Sequence, residues 1–220
     1  MTGTGGEALF ETKRAILREA LRAAPFDGWS STTLRQAAAA AGIDEALAGK
    51  AFPQGAKQLL ALFMAEADRD MVAGAARRGL GQGPVRTRIG AIIRLRLENL
   101  APHREAIRRA LALQLLPGRG PAAIAGLYRT VDAIWRAAGD DSTDFNFYTK
   151  RAILAVVYGA TLLRWLDDSS EGNRETWAFM ERRLAGVPRL GKARRRAEKL
   201  LRRLPSPLSP LARLRHGRSG

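Results

Sequence analysis

Apolar residues recur at helical spacing along almost the whole chain, and this periodicity restricts the possible folds more than any other feature. Within the first 24 residues, for example, Leu9, Phe10 and Ile16 mark one side of a helix. Runs of alternating Val, Ile and Thr, or Asn-Gly hairpin turns, would indicate strands, and neither occurs. Proline and glycine separate about ten helices joined by short loops. The sequence therefore predicts an all-α helical bundle.

The composition excludes most classes of catalytic site. The chain has no cysteine, which rules out disulfides, thiol nucleophiles and Cys-ligated metals. Its two histidines, His103 and His216, have no partner at metal-ligand spacing, and no Glu-x-x-His pair is present for a carboxylate di-iron centre. Apolar residues make up 46% of the 220 residues, which is enough for one well-buried core. We therefore predict a folded protein that is not an enzyme and needs neither cofactor nor metal.

The positive charge is concentrated at the C-terminus. The formal net charge is +16, and residues 187–220 contain eleven Arg or Lys against a single acid, Glu198. Such an asymmetry indicates a polyanionic partner, either acidic lipid or nucleic acid.

This basic tail contains a predicted amphipathic helix at about residues 190–204. One helical stripe is apolar and the opposite side is basic, which is typical of a helix lying in a membrane interface. Two alternatives stay open: a helix packed back on the bundle, and a nucleic-acid-binding segment, which the lack of interleaved aromatics disfavours. The residues predicted to bind the membrane are Leu190, Arg195, Lys199, Leu200, Leu201, Arg202 and Leu204.

No stretch of the sequence has the ~20 apolar residues of a membrane span. The longest charge-free apolar run, Ala152 to Leu163, is instead expected to be a buried helix. The glycine-rich start and the acids that follow it are unlike a signal or transit peptide. The expected location is the cytoplasm, peripheral on the inner membrane.

The first third of the chain has the pattern of a helix-turn-helix. Gly28-Trp29-Ser30, an alanine-rich helix ended by Gly42-Ile43, and Phe52-Pro53 before a long helix resemble the DNA-binding end of tetracycline-repressor-type regulators. Ser31 or Thr32, and then Asp44, are expected to cap the second and third helices. The recognition segment, however, begins with Asp44 and Glu45, and Lys50 is the only base in it. Because base-reading helices need donors and cations, we expect this fold without specific DNA binding.

A run of polar and aromatic residues late in the chain carries a second resemblance. It begins with Val131-Asp132-Ala133-Ile134-Trp135 and continues from Ala138 to Ala152 in the order Gly-Asp-Asp-Ser-Thr-Asp-Phe-Asn-Phe-Tyr-Thr-Lys-Arg. Asp167-Asp168-Ser169-Ser170-Glu171-Gly172 follows. The run resembles the ubiquinone biosynthesis accessory family of the coenzyme Q biosynthesis protein nine type, whose members bind lipid and assist the demethoxyubiquinone hydroxylase. The family has a tryptophan where this chain has Phe147, so an indole donor is lost.

The turn around Phe147 is the expected partner surface. Phe145, Phe147 and Tyr148 spread around the helix axis and cannot all face one core. An exposed aromatic beside polar groups is a common interface anchor, although burial of Phe147 and Tyr148 in the core is the alternative. The resemblance implies that this surface contacts the hydroxylase. The predicted partner-interface residues are Asp132, Ile134, Asp144, Asn146, Phe147, Tyr148 and Arg151.

The helix that follows is apolar on nearly every side. Plain core is one interpretation, and the wall of a cavity for an isoprenoid tail is the other, because pockets between bundle helices are apolar in the same way. Periodicity does not separate the two, and the resemblance implies the cavity. The predicted lipid-binding residues are Leu111, Leu115, Ile124, Leu127, Tyr128, Leu154, Val157 and Tyr158.

Together these features predict three parts: a helix-turn-helix-like part (1–55), a lipid-binding bundle (56–186) and a membrane-associating tail (187–220). The resemblance implies a non-enzymatic protein that binds polyisoprenoid quinone intermediates at the membrane and presents them to the demethoxyubiquinone hydroxylase. By analogy with repressor-like bundles we expect a homodimer. Nucleic acid is not an expected partner. A ligand-responsive transcription regulator is the alternative function, and a degenerate enzyme is a weaker one.

Overall fold

The computed structural model describes residues 3–114, 120–140 and 146–186, and these residues form a helical bundle without strands. The α-helices are α1 (Gly3–Asp27), α2 (Ser31–Ala40), α3 (Glu45–Ala51), α4 (Ala56–Arg77), α5 (Val85–Leu100), α6 (Arg104–Gln114), α7 (Gly120–Ala137), α8 (Asn146–Asp167) and α9 (174–186). Short 3-10 turns at Ala101–His103 and Glu171–Asn173 precede α6 and α9. The predicted all-α class is confirmed. The predicted tail helix, with all of its membrane-binding residues, lies outside the described residues.

Local capping chemistry sets the helix-turn-helix. The Ser30 hydroxyl accepts a hydrogen bond from the backbone N–H of Thr33 at 3.0 Å, so the cap of α2 is Ser30 and not the predicted Ser31 or Thr32. The Asp44 carboxylate accepts from the backbone N–H of Leu47 at 2.8 Å and caps α3 as predicted. Between the two helices Gly42 has a φ of 69°, a left-handed conformation that favours glycine.

The first helix does not end at Pro25 but continues through it to Asp27. A proline in a helix interior removes a backbone donor and is costly. Here it lies in the last turn, where the carbonyl groups have no helical partner in any case. Arg109 of α6 donates to the Pro25 carbonyl at 3.3 Å and so satisfies one of these end carbonyls.

The helix-turn-helix packs on one end of the bundle. The Trp29 indole donates to the carbonyl of Ala106 on α6 at 2.8 Å, and its ring stacks on Phe63 of α4 at 5.5 Å. The C-terminal end of α8 lies at this same end, because Arg104 of α6 donates to the carbonyl of Asp168 at 2.9 Å.

The opposite end of the bundle, which we call the distal end, is where α4, α7 and α9 finish and where α5 and α8 begin. Arg88 of α5 donates to the carbonyl of Gly81, just after α4, at 3.1 Å. A Cβ placed on Gly139, just after α7, would lie 3.1 Å from the same guanidinium. The side chain of Leu184 on α9 lies against Gly90 of α5. The distal end therefore gathers segments that are far apart in the sequence.

A buried ion pair ties the long helices together at mid-height. Arg96 of α5 is fully buried, and its Nη1 lies 2.7 Å from the carboxylate of Asp68 on α4. Its Nε donates to the hydroxyl of Tyr158 on α8 at 2.9 Å. Thr130 of α7 donates to Asp68 at 3.3 Å. Burial raises the pKa of Asp68, and the nearby Arg96 guanidinium opposes that rise.

One carboxylate shapes the corner between α8 and α9. The buried Asp168 accepts hydrogen bonds from the backbone N–H and hydroxyl groups of Ser170 and Thr176, at distances from 2.6 to 2.8 Å. Burial by itself would raise the pKa of Asp168, but these four hydrogen bonds outweigh it and hold the pKa far below its usual range. The carboxylate thereby fixes where α9 starts and the direction in which it returns to the distal end.

The expectation that Ala152 to Leu163 forms a fully buried helix is wrong. Val156 is 73% exposed and Leu163 is also exposed, because α8 packs against α7 and α5 on one side and leaves the other side uncovered. In the part of the chain that the structure describes, none of the helices has the length and apolar character needed to cross a membrane.

Candidate functional site

An apolar groove opens at the distal end between α5, α7, α8 and α9, with a volume of about 250 Å³. Ile89 and Leu154 are buried in its wall, whereas Val85 is 46% exposed. Two cationic residues, Arg86 and Lys150, border it and are the charged members of the lining. A concave apolar surface with cations beside it suits the apolar part of an amphiphilic ligand. The lining residues are Val85, Arg86, Ile89, Trp135, Thr149, Lys150, Ile153, Leu154, Val157 and Leu184.

An ion network beside the groove fixes α8 against α7. Arg151 is 1% exposed, and its guanidinium lies 2.7 Å from the carboxylate of Asp132 and 3.5 Å from that of Asp140. Lys150 lies 2.9 Å from Asp140, and its ammonium is 5.6 Å from the centre of the Trp135 ring. Because a buried ion pair tolerates little displacement, the network sets the register of the two helices. It therefore also sets the shape of this wall of the groove.

Among the predicted partner-interface residues, Tyr148 is clearly at the surface, with 69% of it exposed. It directly precedes Thr149 and Lys150, which line the groove. The prediction is wrong for Ile134 and Arg151. Ile134 is packed in the core, and Arg151 is drawn inward by two carboxylates.

The remaining interface predictions fall in three groups. Asp132 is mostly buried and pairs with Arg151 and with the exposed Arg136. Asn146 and Phe147 lie in the first turn of α8, but their side chains are outside the described part. Asp144 lies outside the described residues altogether.

The predicted lipid-binding residues differ in whether they line the groove. Leu154 and Val157 line the groove. Ile124 and Tyr128 are exposed on the outer side of α7, so the prediction that they face a cavity is wrong for both. The others do not line the groove: Tyr158 is buried with its hydroxyl bonded to Arg96, Leu111 and Leu127 pack half-buried against the core, and Leu115 lies outside the described residues.

The contribution of α5 and α9 to the groove was not predicted from the sequence. Val85 and Ile89 are four residues apart, on successive turns at the start of α5, and Leu184 ends the apolar side of α9. This spacing was visible as a helical signal, but nothing in it identified α8 as the opposing wall. Trp135 formed part of the quoted run and had no ligand role assigned to it.

The surface of the helix-turn-helix keeps the acidic character that the sequence suggested. Asp44 and Glu45 are exposed at the start of α3, and Lys50 is the base in its last turn. Within the described ranges, no group of three or more His, Asp or Glu side chains is placed to hold a metal ion.

Comparison with known proteins connects these features. The COQ9 family model matches residues 120–191, which include α7, α8 and α9. The human mitochondrial ubiquinone biosynthesis protein COQ9 is 31% identical over 188 residues, covering 82% of this chain and 59% of the human protein. The COQ9-A protein of Xenopus laevis is 31% identical, covering 85% of this chain and 61% of its own length. The chain thus spans about three fifths of the length of these relatives.

The fold has a separate relative among solved structures. A TetR transcriptional regulator from Nitrosomonas europaea superimposes with a TM-score of 0.65 at 24% identity, covering 79% of this chain and 95% of the regulator. This likeness confirms the predicted tetracycline-repressor-like architecture. The sequence matches show a different relationship from this structural likeness: residues 120–191 match the COQ9 family model, and more than four fifths of the chain aligns with COQ9 proteins at 31% identity.

Proposed function

We propose that this protein is a non-catalytic accessory protein of ubiquinone biosynthesis that binds polyisoprenoid quinone intermediates and presents them to the demethoxyubiquinone hydroxylase. The observation that carries the proposal is the apolar groove of about 250 Å³, which lies within the part of the chain that matches the COQ9 family. Its relatives are named for ubiquinone biosynthesis. The ligand of such a pathway is an aromatic head with a long apolar tail.

The size of the groove indicates partial enclosure of the ligand. Pockets that enclose a whole drug-sized ligand measure roughly 300–1,000 Å³. A groove slightly below this range holds one segment of a polyisoprenoid, and the remainder stays in a bilayer or against a partner. Partial enclosure suits a protein that hands its ligand on, because the exposed part of the ligand remains accessible to the next protein.

The partner surface and the groove share the first two turns of α8. Tyr148 points outward, whereas Thr149 and Lys150 line the groove. A hydroxylase docked on Tyr148 would therefore lie beside the bound lipid. In this proposal the reacting groups belong to the hydroxylase, and the chain contributes binding of the ligand and of the partner.

The tail brings this assembly to the membrane. Leu184 lines the groove, and the basic segment of residues 187–220 begins three positions later. An amphipathic helix in that segment would place the protein on the inner membrane as a peripheral protein, with the groove close to its lipid source.

A homodimer is the assembly we propose for the chain. The uncovered side of α8 carries Val156 and Leu163, and exposed apolar residues on one helix face favour association with a second copy. Val156→Glu should shift the protein to the monomer in sedimentation velocity. An unchanged sedimentation coefficient would place any dimer contact elsewhere.

The lipid role is tested by mass spectrometry of the protein purified under native conditions. Wild-type protein should carry isoprenoid quinone species, and Ile153→Asp, which places a charge in the groove wall, should lose them. Ala178→Asp adds the same charge on the exposed side of α9 and should retain them. Wild-type protein without bound lipid, or equal lipid content in the two variants, would refute the proposal.

A ligand-responsive transcription regulator is the second candidate, and the likeness to a TetR regulator is what favours it. The acids at the start of α3 oppose it, because they would face DNA phosphates. Salt-dependent binding to a defined palindrome that is lost in Lys50→Ala would support the regulator. If no DNA binding is detected at low salt, the protein is not a regulator of this kind.

A further inference from the structure

Five exposed arginines lie at the distal end without a carboxylate partner. They are placed at the ends of α4 and α9 and at the start of α5, around the groove. None forms an ion pair among the described residues. Near the helix-turn-helix the exposed arginines are mixed: Arg22 pairs with Glu19 and Arg108 with Glu105, whereas Arg18 and Arg35 form no ion pair within the described part. The five are Arg77, Arg78, Arg86, Arg182 and Arg183.

These cations are mixed with exposed apolar groups. Val85 and Tyr148 are both solvent-exposed at the distal end, and Arg183 lies over the ring of Phe179 at 4.9 Å. Long cationic side chains that cover apolar surface, next to aromatics and an open apolar groove, are the composition of a surface that contacts lipid headgroups and the upper acyl chains. A merely solvated face requires none of these apolar elements.

The distal end is also where the strongly basic C-terminal segment leaves the described structure. Residue 186 ends α9, two residues after Leu184 of the groove wall, and residues 187–220 carry eleven Arg or Lys. Along the sequence, the basic segment therefore follows directly after Arg182 and Arg183 of the bundle. The acids that start α3 lie at the opposite end, where the helix-turn-helix packs.

We propose that the distal end is itself a membrane-facing surface, which lies on an anionic bilayer through its unpaired arginines and points the mouth of the groove at the lipid. This inference rests on the proposed function only in taking the groove as the lipid site. It differs in assigning membrane contact to the folded bundle as well as to the tail. The orientation gives a lipid a path from bilayer to groove without crossing water.

The orientation is tested with the full chain, which has no cysteine and so accepts a single environment-sensitive label at a chosen place. Gln82→Cys places the label in the exposed turn between α4 and α5, at the distal end, and Leu47→Cys places it on α3. On vesicles of phosphatidylcholine with phosphatidylglycerol, the label at position 82 should shift to the blue and brighten, and the label at 47 should not. Bound protein with no response at 82, or with equal responses, would overturn the proposal.

The charges are tested by reversing three distal arginines, Arg78, Arg182 and Arg183, to glutamate in the full chain. A matched control reverses Arg18, Arg35 and Lys57, which are exposed and unpaired among the described residues but lie on α1, α2 and the start of α4. Each cation near an anionic surface contributes about fivefold to binding, so losing three cations should weaken binding to these vesicles on the order of 100-fold, and the three added carboxylates should weaken it further. The control should change little, because charges further than about 10 Å from the surface are screened.

Thermal unfolding checks that both triple variants remain folded. Equal losses of vesicle binding would show general attraction and overturn the proposal. So would a distal variant that keeps vesicle binding but loses binding to duplex DNA, since that result assigns the surface to nucleic acid. Lipid content by native mass spectrometry is measured in parallel, so that failure of the proposed lipid role is distinguished from failure of this orientation.

Discussion

Replacing Arg96 with methionine tests how the bundle core is held together. Arg96 is fully buried, with its Nη1 2.7 Å from the Asp68 carboxylate and its Nε bonded to the Tyr158 hydroxyl at 2.9 Å. Methionine fills much of the same volume with an apolar chain. It leaves the Asp68 carboxylate with the Thr130 hydroxyl as its remaining hydrogen-bond partner. Removing one member of a buried ion pair costs about 3–5 kcal/mol, because the other charge stays buried without compensation.

A loss of this size is a large share of the total free energy of unfolding, which is about 5–15 kcal/mol for a typical domain. Urea unfolding followed by circular dichroism measures it directly. The neighbouring Arg94→Met serves as the control, because Arg94 is half-exposed, pairs with Glu98 and lies over the Trp177 ring. Loss of those exposed contacts should cost less than about 1.5 kcal/mol.

The pH dependence of the unfolding free energy tests the same reasoning about Asp68. Burial raises the folded-state pKa of Asp68, so the folded state holds this proton more tightly than the unfolded chain does. The unfolding free energy therefore falls as the pH rises from the ordinary Asp pKa to the raised one. Without Arg96 the pKa rises further, so the deficit of Arg96→Met should be smaller at about pH 5 than at about pH 8.

The double variant Arg96→Met/Asp68→Leu supplies the decisive comparison. It removes both charges and should recover most of the loss, because no uncompensated charge is left in the core. If the double variant is as unstable as the single one, the loss comes from packing and not from the orphaned carboxylate. A deficit that does not change with pH would refute the reasoning in the same way.

Three further predictions concern the corner, the partner surface and the distal turn. Asp168→Asn should lower the unfolding free energy by about 2 kcal/mol at neutral pH, because an amide cannot accept all four hydrogen bonds. Folding lowers the pKa of Asp168, so this advantage of the wild type should vanish as the pH falls below the ordinary Asp range. Acid unfolding of the two proteins would show this. Tyr148→Lys should leave the melting temperature and lipid content unchanged while abolishing stimulation of the hydroxylase, and full stimulation would place the interface elsewhere. Gly139→Ala should cost about 1 kcal/mol in urea unfolding, because the glycine has a φ of 77° and the added Cβ would lie 3.1 Å from Arg88; no measurable loss would mean that the turn relaxes freely.

Helix caps, which depend on local contacts, were the features of the fold that the sequence predicted best. Asp44 caps α3 as expected, because a cap depends on residues that are neighbours in the chain. Such a cap needs no knowledge of which helices meet. Leu154 and Val157, which the family resemblance assigned to a lipid cavity, both line the groove.

The errors arise where the outcome depends on a distant partner. Ile124 and Tyr128 were assigned to a cavity, but the side of α7 that carries them faces solvent. Arg151 was predicted to be a partner-interface residue, and two carboxylates on and after α7 instead hold it inside. Arg96 was not singled out at all. The sequence around a single arginine in an apolar helix does not indicate that it will pair with an aspartate on another helix, here α4.

The start of α8 shows why the run of polar and aromatic residues there does not have a single role. Successive residues on a helix are turned by about 100°. Tyr148 therefore faces solvent, Lys150 borders the groove, Arg151 enters the interior and Ile153 forms groove wall, all within two turns. If a partner on Tyr148 shifts this helix, it alters the groove, and linkage requires that a bound lipid change affinity for the partner by the same factor. A measured factor different from one would show that the two sites are coupled, whereas a factor of one would show that the partner surface and the groove act separately.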